Sequence, residues 1–77
     1  MNERLRSLIA DILDIPTDDV VPDLLRANTE QWDSLNHLRL MTAFEEEFGV
    51  RLTMQQIAEI QSPRELQQFL DAGRSTR

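Results

Sequence analysis

Apolar residues recur along this chain at the spacing of a helix face. Leu5, Leu8, Ile9, Ile12 and Leu13 fall at i, i+3, i+4, i+7 and i+8, which makes one stripe on an amphipathic helix. Asn2 is placed to cap that helix, and Glu3 sits in its first turn, near the positive end of the helix dipole. Pro16 stops it, because the residue before a proline avoids the helical region. The pattern predicts a second main helix over Asp33 to Phe48. Asp33 is its N-cap, and Gly49 stands just past the last periodic residue, where a left-handed position favours glycine. At about 100° per residue, His37, Leu40, Met41, Phe44 and Phe48 share one side, the core face. Leu35 lands about 180° from Phe44, beside Arg39, Thr42 and Glu46, with Leu38 at the shoulder. Leu35 is therefore expected to be exposed at the helix start, next to Ser34.

Two further capped segments follow. Thr53-Met54-Gln55-Gln56 has the capping-box form and opens a short helix with Met54, Ile57, Ala58 and Ile60. Ser62-Pro63-Arg64-Glu65 places Ser at the N-cap, Pro at the first helical position and Glu at the third. It opens a last helix with Leu66, Phe69 and Leu70 inward, closing near Gly73. Between the first two helices, residues 14–32 form a long connection rich in turn-prone residues, among them Pro16, Asp18, Asp19, Pro22, Asp23 and Asn28. Loops longer than about 12–15 residues are uncommon in compact domains. This one also holds Ile15, Val20, Val21, Leu24, Leu25 and Trp32, so it reads as packed onto the core, with a helical turn near Asp23–Ala27. No strand-like alternation or internal repeat appears. The expectation is an all-α fold: a small antiparallel four-helix bundle of three longer helices and a short third one, with a domain over residues 1–73 and a flexible tail over 74–77.

Composition narrows the function. A chain of 77 residues is at most one domain, burying only about 60% of its unfolded surface. Without cysteine it has no disulfide, thiolate metal site or thiol nucleophile of its own. Acidic residues number 14 against 8 basic, all of them Arg, for a net charge of −6. The arginines are scattered rather than gathered in a stripe, so nucleic acid is not an expected partner. No apolar run reaches the roughly 18–20 residues of a membrane span, and the chain start does not read as a signal peptide, so a cytoplasmic location is expected. No long heptad seam or large apolar patch is evident, so a monomer is expected.

Few side chains offer chemistry. Ser34 would occupy the first position of the second helix, where free N–H groups and the dipole favour a phosphate. Read from the residues alone, it is either that or only a helix-start serine. His37, the single histidine, falls on the core face and reads as a packed, hydrogen-bonded residue. It points about 60° away from Ser34 on the wheel, with no third orienting group, which argues against a hydrolase. Asp14, Asp18, Asp19 and Asp23 lack the spacing of a calcium loop and read as solvated acids. Glu45, Glu46 and Glu47 likewise read as a solvated face. Trp32 is expected to be a core plug pinning the long connection, or else the lining of a pocket. Met41, Phe44 and Met54 are expected in the core.

The run Trp32-Asp33-Ser34-Leu35, followed by Leu38, Leu40, Met41 and Phe44-Glu45-Glu46-Glu47-Phe48, resembles the Asp-Ser-Leu signature and second helix of acyl carrier proteins. The resemblance extends over nearly the whole chain, through Gly49-Val50 to the closing Ser62-Pro63 and Leu66. It implies that a phosphopantetheinyl transferase moves phosphopantetheine from coenzyme A onto Ser34. The arm's thiol then supplies the sulfur chemistry that the chain lacks. It further implies no enzymatic activity in the chain itself, and partners among acyl-loading and acyl-processing enzymes. Their docking surface would be Asp33, Leu35, Leu38, Arg39, Thr42, Glu45 and Glu46.

Two positions depart from the carriers of general fatty acid synthesis. Arg39 replaces an acidic residue, and Asn36 an acidic residue or glycine. A positive charge in mid-helix weakens docking to a basic partner patch. The Trp-Asp-Ser-Leu-x-His-Leu form instead resembles discrete carriers of specialised pathways (polyketide, fatty-acid-like or modified-sugar). The alternatives are an aminoacyl or peptidyl carrier of the same fold, or an unmodified helical interaction module using Leu35 and Leu38.

Overall fold

The computed structural model describes residues 1–75, with side chains through Ala72. Among these residues there are four α-helices and no strand: α1 (Glu3–Leu13), α2 (Ser34–Phe48), α3 (Met54–Glu59) and α4 (Pro63–Ser75). The chain is thus an all-helical bundle of three longer helices and one short one.

Local chemistry sets the ends of each helix. Asn2 Oδ1 accepts from the N–H groups of Arg4 (2.8 Å) and Leu5 (3.2 Å) and caps α1. That helix ends before Pro16, on Asp14 in the left-handed conformation (φ 57°, ψ 50°), with the Ala10 carbonyl accepting from the N–H groups of Asp14 and Ile15. Aspartate is among the few side chains that adopt this conformation with little penalty. Asp33 caps α2, and Gly49 (φ 65°) ends it. Thr53 and Gln56 form the expected reciprocal capping box on α3. At α4 the pattern is modified: the Glu65 carboxylate accepts from the Gln61 N–H (2.6 Å) and from Ser62 Oγ (3.3 Å).

The core joins Leu5, Ile9, Ala10 and Leu13 of α1 to Leu40, Met41 and Phe44 of α2, with Val20, Trp32, Ile60 and Leu66 completing it. Phe48, Phe69 and Leu70 pack against its margin, half-buried. Helix α1 packs chiefly along α2. The pair runs antiparallel, because Arg4 at the start of α1 bonds to Glu47 at the end of α2 (2.5 Å) while stacking over the Phe48 ring.

Some expectations need correction. The long connection is pinned by Val20 and Trp32, but Val21 and Leu25 are nearly half exposed, because each stands next to a short turn that can bury only one of two neighbouring side chains. Its helical turns are two 3-10 turns, Thr17–Asp19 and Arg26–Asn28, and not one at 23–27. Met54 is 80% exposed, not in the core. A helix of six residues has no room to lay a full face on the bundle, and none of its residues is fully buried. Helix α4 continues through Gly73 to Ser75. The tail expected at 74–77 therefore begins within a helix, and its residues 76 and 77 lie outside the described residues.

Candidate functional site

The start of α2 is built by its own neighbours. Trp32 is buried (2% exposed) and its N–H donates to the Thr29 carbonyl, which fixes the end of the long connection against the core. From that anchor the chain emerges at Asp33 in an extended conformation. Asp33 Oδ1 accepts from the Asn36 N–H (2.9 Å), and its carbonyl accepts from the His37 N–H (2.8 Å). Asn36 reaches back through Nδ2 to the Gln31 carbonyl (2.8 Å), which braces the turn from the other side.

Ser34 is the first residue of α2 and is exposed. Of the first N–H groups of the helix, that of Asn36 is taken by Asp33 and that of His37 by the Asp33 carbonyl. Those of Ser34 and Leu35 have no protein partner among the described residues, and they lie at the positive end of the helix. A phosphodiester on Ser34 Oγ therefore fits: the hydroxyl is accessible, and two N–H donors stand beside it.

The outer face of α2 begins at the same place. Leu35 is 60% and Leu38 54% exposed, as the helical wheel places them, and Arg39, Thr42 and Glu46 are exposed beyond them. Arg39 makes no ion pair or hydrogen bond with another side chain among the described residues. Glu45 differs from its neighbours. It is half-buried, and one carboxylate oxygen accepts from the Leu52 N–H (2.7 Å). Glu47 is occupied by Arg4. The acidic triplet is thus not a uniformly solvated face; within it, only Glu46 is unattached. Asp23, read as a solvated loop acid, pairs with Arg64 (2.6 Å) across the loop–α4 junction.

His37 lies on the core side, as expected, and both its nitrogens are engaged. Trp32 Nε1–H donates to Nδ1 (3.0 Å), so the ring proton belongs on Nε2, which donates to the Ile57 carbonyl (2.6 Å). No nitrogen is left to activate Ser34, which removes the hydrolase reading. Trp32 acts as the core plug. Sequence reasoning placed His37 and Trp32 inward but missed their partnership with each other and with α3. The ties of Glu45 to Leu52 and of Arg64 to Asp23 were also missed, because nothing in the spacing signals them. Among the described residues there is no cluster of side chains that could hold a metal ion. No helix among them is long and apolar enough to cross a membrane.

Comparison with known proteins finds likeness over most of the chain. The family model described as "Phosphopantetheine attachment site" matches residues 3–70. An acyl carrier protein of Thermosynechococcus vestitus (strain NIES-2133 / IAM M-273 / BP-1) is 29% identical over 69 residues, 90% of this chain and 85% of that one. Members of the family bear phosphopantetheine covalently on a serine, and the group supplies a thiol on which acyl groups are held as thioesters. They are not enzymes themselves; they work with phosphopantetheinyl transferases and acyl-processing enzymes. With a family match over nearly all of its length and an all-helical bundle, the chain belongs to the phosphopantetheine-bearing carrier proteins.

Proposed function

We propose that Ser34 is the attachment residue, and that the protein presents acyl thioesters to partner enzymes of a specialised (polyketide, fatty-acid-like or modified-sugar) pathway. The observation that carries the reading is the exposed Ser34 hydroxyl at the first position of α2, beside two unpartnered N–H groups and the exposed Leu35 and Leu38. In this reading each local group has a task. Asp33 caps the helix and holds its first turn in shape. The free N–H groups of Ser34 and Leu35 stabilise negative charge on the serine oxygen's substituent. Leu35 and Leu38 supply apolar contact to the partner, and Asp33, Arg39, Thr42 and Glu46 set its charge pattern. Glu45 shapes that surface through its hold on Leu52.

The specialised pathway is supported by Arg39, an unpaired cation in the middle of the docking face. The carrier domain takes in the four helices and with them the family match over 3–70, and it acts as a cytoplasmic monomer.

Incubation with coenzyme A and a broad-specificity phosphopantetheinyl transferase, followed by intact mass and site mapping, tests the reading. Addition of one phosphopantetheine in the native chain and none in Ser34→Ala is expected. A folded native chain that stays unmodified beside a competent cognate transferase would replace it with a helical interaction module docking through Leu35 and Leu38. Loading by an amino-acid-adenylating enzyme in place of an acyl-loading one would make it an aminoacyl carrier.

A further inference from the structure

Close beneath Ser34 the bundle holds a buried titratable side chain that attachment does not require. His37 lies three residues on, one turn further into α2 and turned to the core at 4% exposure. Its two nitrogens join the Trp32 indole N–H to the Ile57 carbonyl. The result is a polar relay from the end of the long connection, through α2, to α3. A neutral ring with its proton on Nε2 satisfies every member.

Helix α3 has no fully buried residue, and this bond adds to the packing of half-buried Ile57 in holding it to the bundle. Around the relay, Leu40, Met41, Phe44 and Ile60 are all buried to 2% exposure or less. Three crevices open at other places on the described residues. One of about 800 Å³ is lined by Arg4, Phe48, Gln67 and Leu70. Two of about 320 Å³ lie between α3 and α4 and beside Glu3, Ser7 and Glu47. None of these three is lined by Ser34, Trp32 or His37.

We propose that the Trp32–His37–Ile57 relay closes the bundle to whatever is tethered at Ser34, so that the acyl group rides in solvent instead of being sheltered among the helices. The inference rests on Ser34 as the attachment residue. An alkyl chain that entered between His37 and either of its partners would part the ring from Ile57 or from Trp32. It has neither donor nor acceptor to replace the broken bond, and a stranded buried polar group costs more than the bond itself contributes. The cargo class that follows is one needing no shelter: short or polar acyl groups, recognised by partner enzymes that bind the acyl group directly.

The absence of cysteine makes the test direct, since Ser34→Cys supplies a single thiol. That thiol is alkylated with a bromoacetyl linker of pantetheine length ending in an octanoyl amide. Methyl NMR spectra are compared with those of the same linker ending in acetyl. With His37 present, the methyl resonances of Leu40, Ile57, Ile60 and Leu66 are expected to be the same for both linkers. With His37→Ala added, the octanoyl linker is expected to shift them. If His37→Ala loses its helical circular dichroism, His37→Leu takes its place, being of similar volume and unable to bond either partner. Octanoyl-dependent shifts in the chain that retains His37 overturn the proposal. So does their absence in the folded His37 variant, which would take closure away from the relay. The linker is attached chemically, so these results stand apart from the transferase experiment. Failure of the transferase would overturn the carrier reading and leave the question of closure answered.

Discussion

In the first part of α2, Ser34, Leu35, Leu38, Arg39 and Thr42 stand exposed with no side-chain hydrogen bond or ion pair among the described residues. In the last turn the outward polar groups are mostly committed: Glu45 holds the Leu52 N–H, and Glu47 holds Arg4, whose guanidinium lies 5.1 Å from the Phe48 ring centroid. One helix therefore divides into an exposed, unattached part, proposed above to face partners, and a part that fastens other segments to the bundle. The difference corrects an intuition drawn from composition. A run of three glutamates looks like the most obvious docking feature of an acidic chain, yet two of the three are occupied by the fold. The unattached surface is the less conspicuous one, two leucines and an arginine next to a serine.

Substitutions in the two parts should separate function from stability. The largest effect is expected of Ser34→Ala, which abolishes phosphopantetheine addition by intact mass while stability stays within about 0.5 kcal/mol. Leu35→Asp comes next. It is expected to lower the kcat/KM of the transferase by about tenfold, roughly 1.4 kcal/mol of docking energy, with an unchanged melting temperature. A melting temperature that falls in step with the rate would break the division, because Leu35 would then belong to the core.

The other part should respond in the opposite sense. Gly49→Ala meets open space around the added Cβ, so its cost is that of the left-handed backbone alone, about 1–2 kcal/mol in urea unfolding, with transferase kinetics unaltered. Glu45→Ala strands the Leu52 N–H. It should cost about 1 kcal/mol and speed hydrogen exchange at the Leu52 amide relative to amides in α1. The smallest effect is expected of Glu46→Ala, within about 0.5 kcal/mol in stability, its influence confined to the salt dependence of partner association. If Glu45 and Glu46 prove interchangeable in both assays, the commitment of Glu45 to the fold is not what separates them.

The sequence by itself determined what depends on neighbours a few residues apart. The helix starts at Asn2, Asp33 and Thr53 follow from capping groups that bond within three residues, and the end of α2 follows from a glycine free to adopt positive φ. The outward placement of Leu35 and the inward placement of His37 follow from angles about a single helix axis. Ser34 stood out through the resemblance of Trp32-Asp33-Ser34-Leu35 to a carrier signature, since its position alone reads equally as a helix-start serine. Only the tertiary structure decided what stands opposite each face. Periodicity says that His37 points inward, but not that Trp32 and Ile57 meet its two nitrogens. It cannot distinguish Glu45 from Glu46, which differ only in whether the Leu52 N–H lies within reach. It also put Met54 in the core, because hydrophobicity records a preference for burial, whereas the room to be buried is set by how segments distant in sequence pack together.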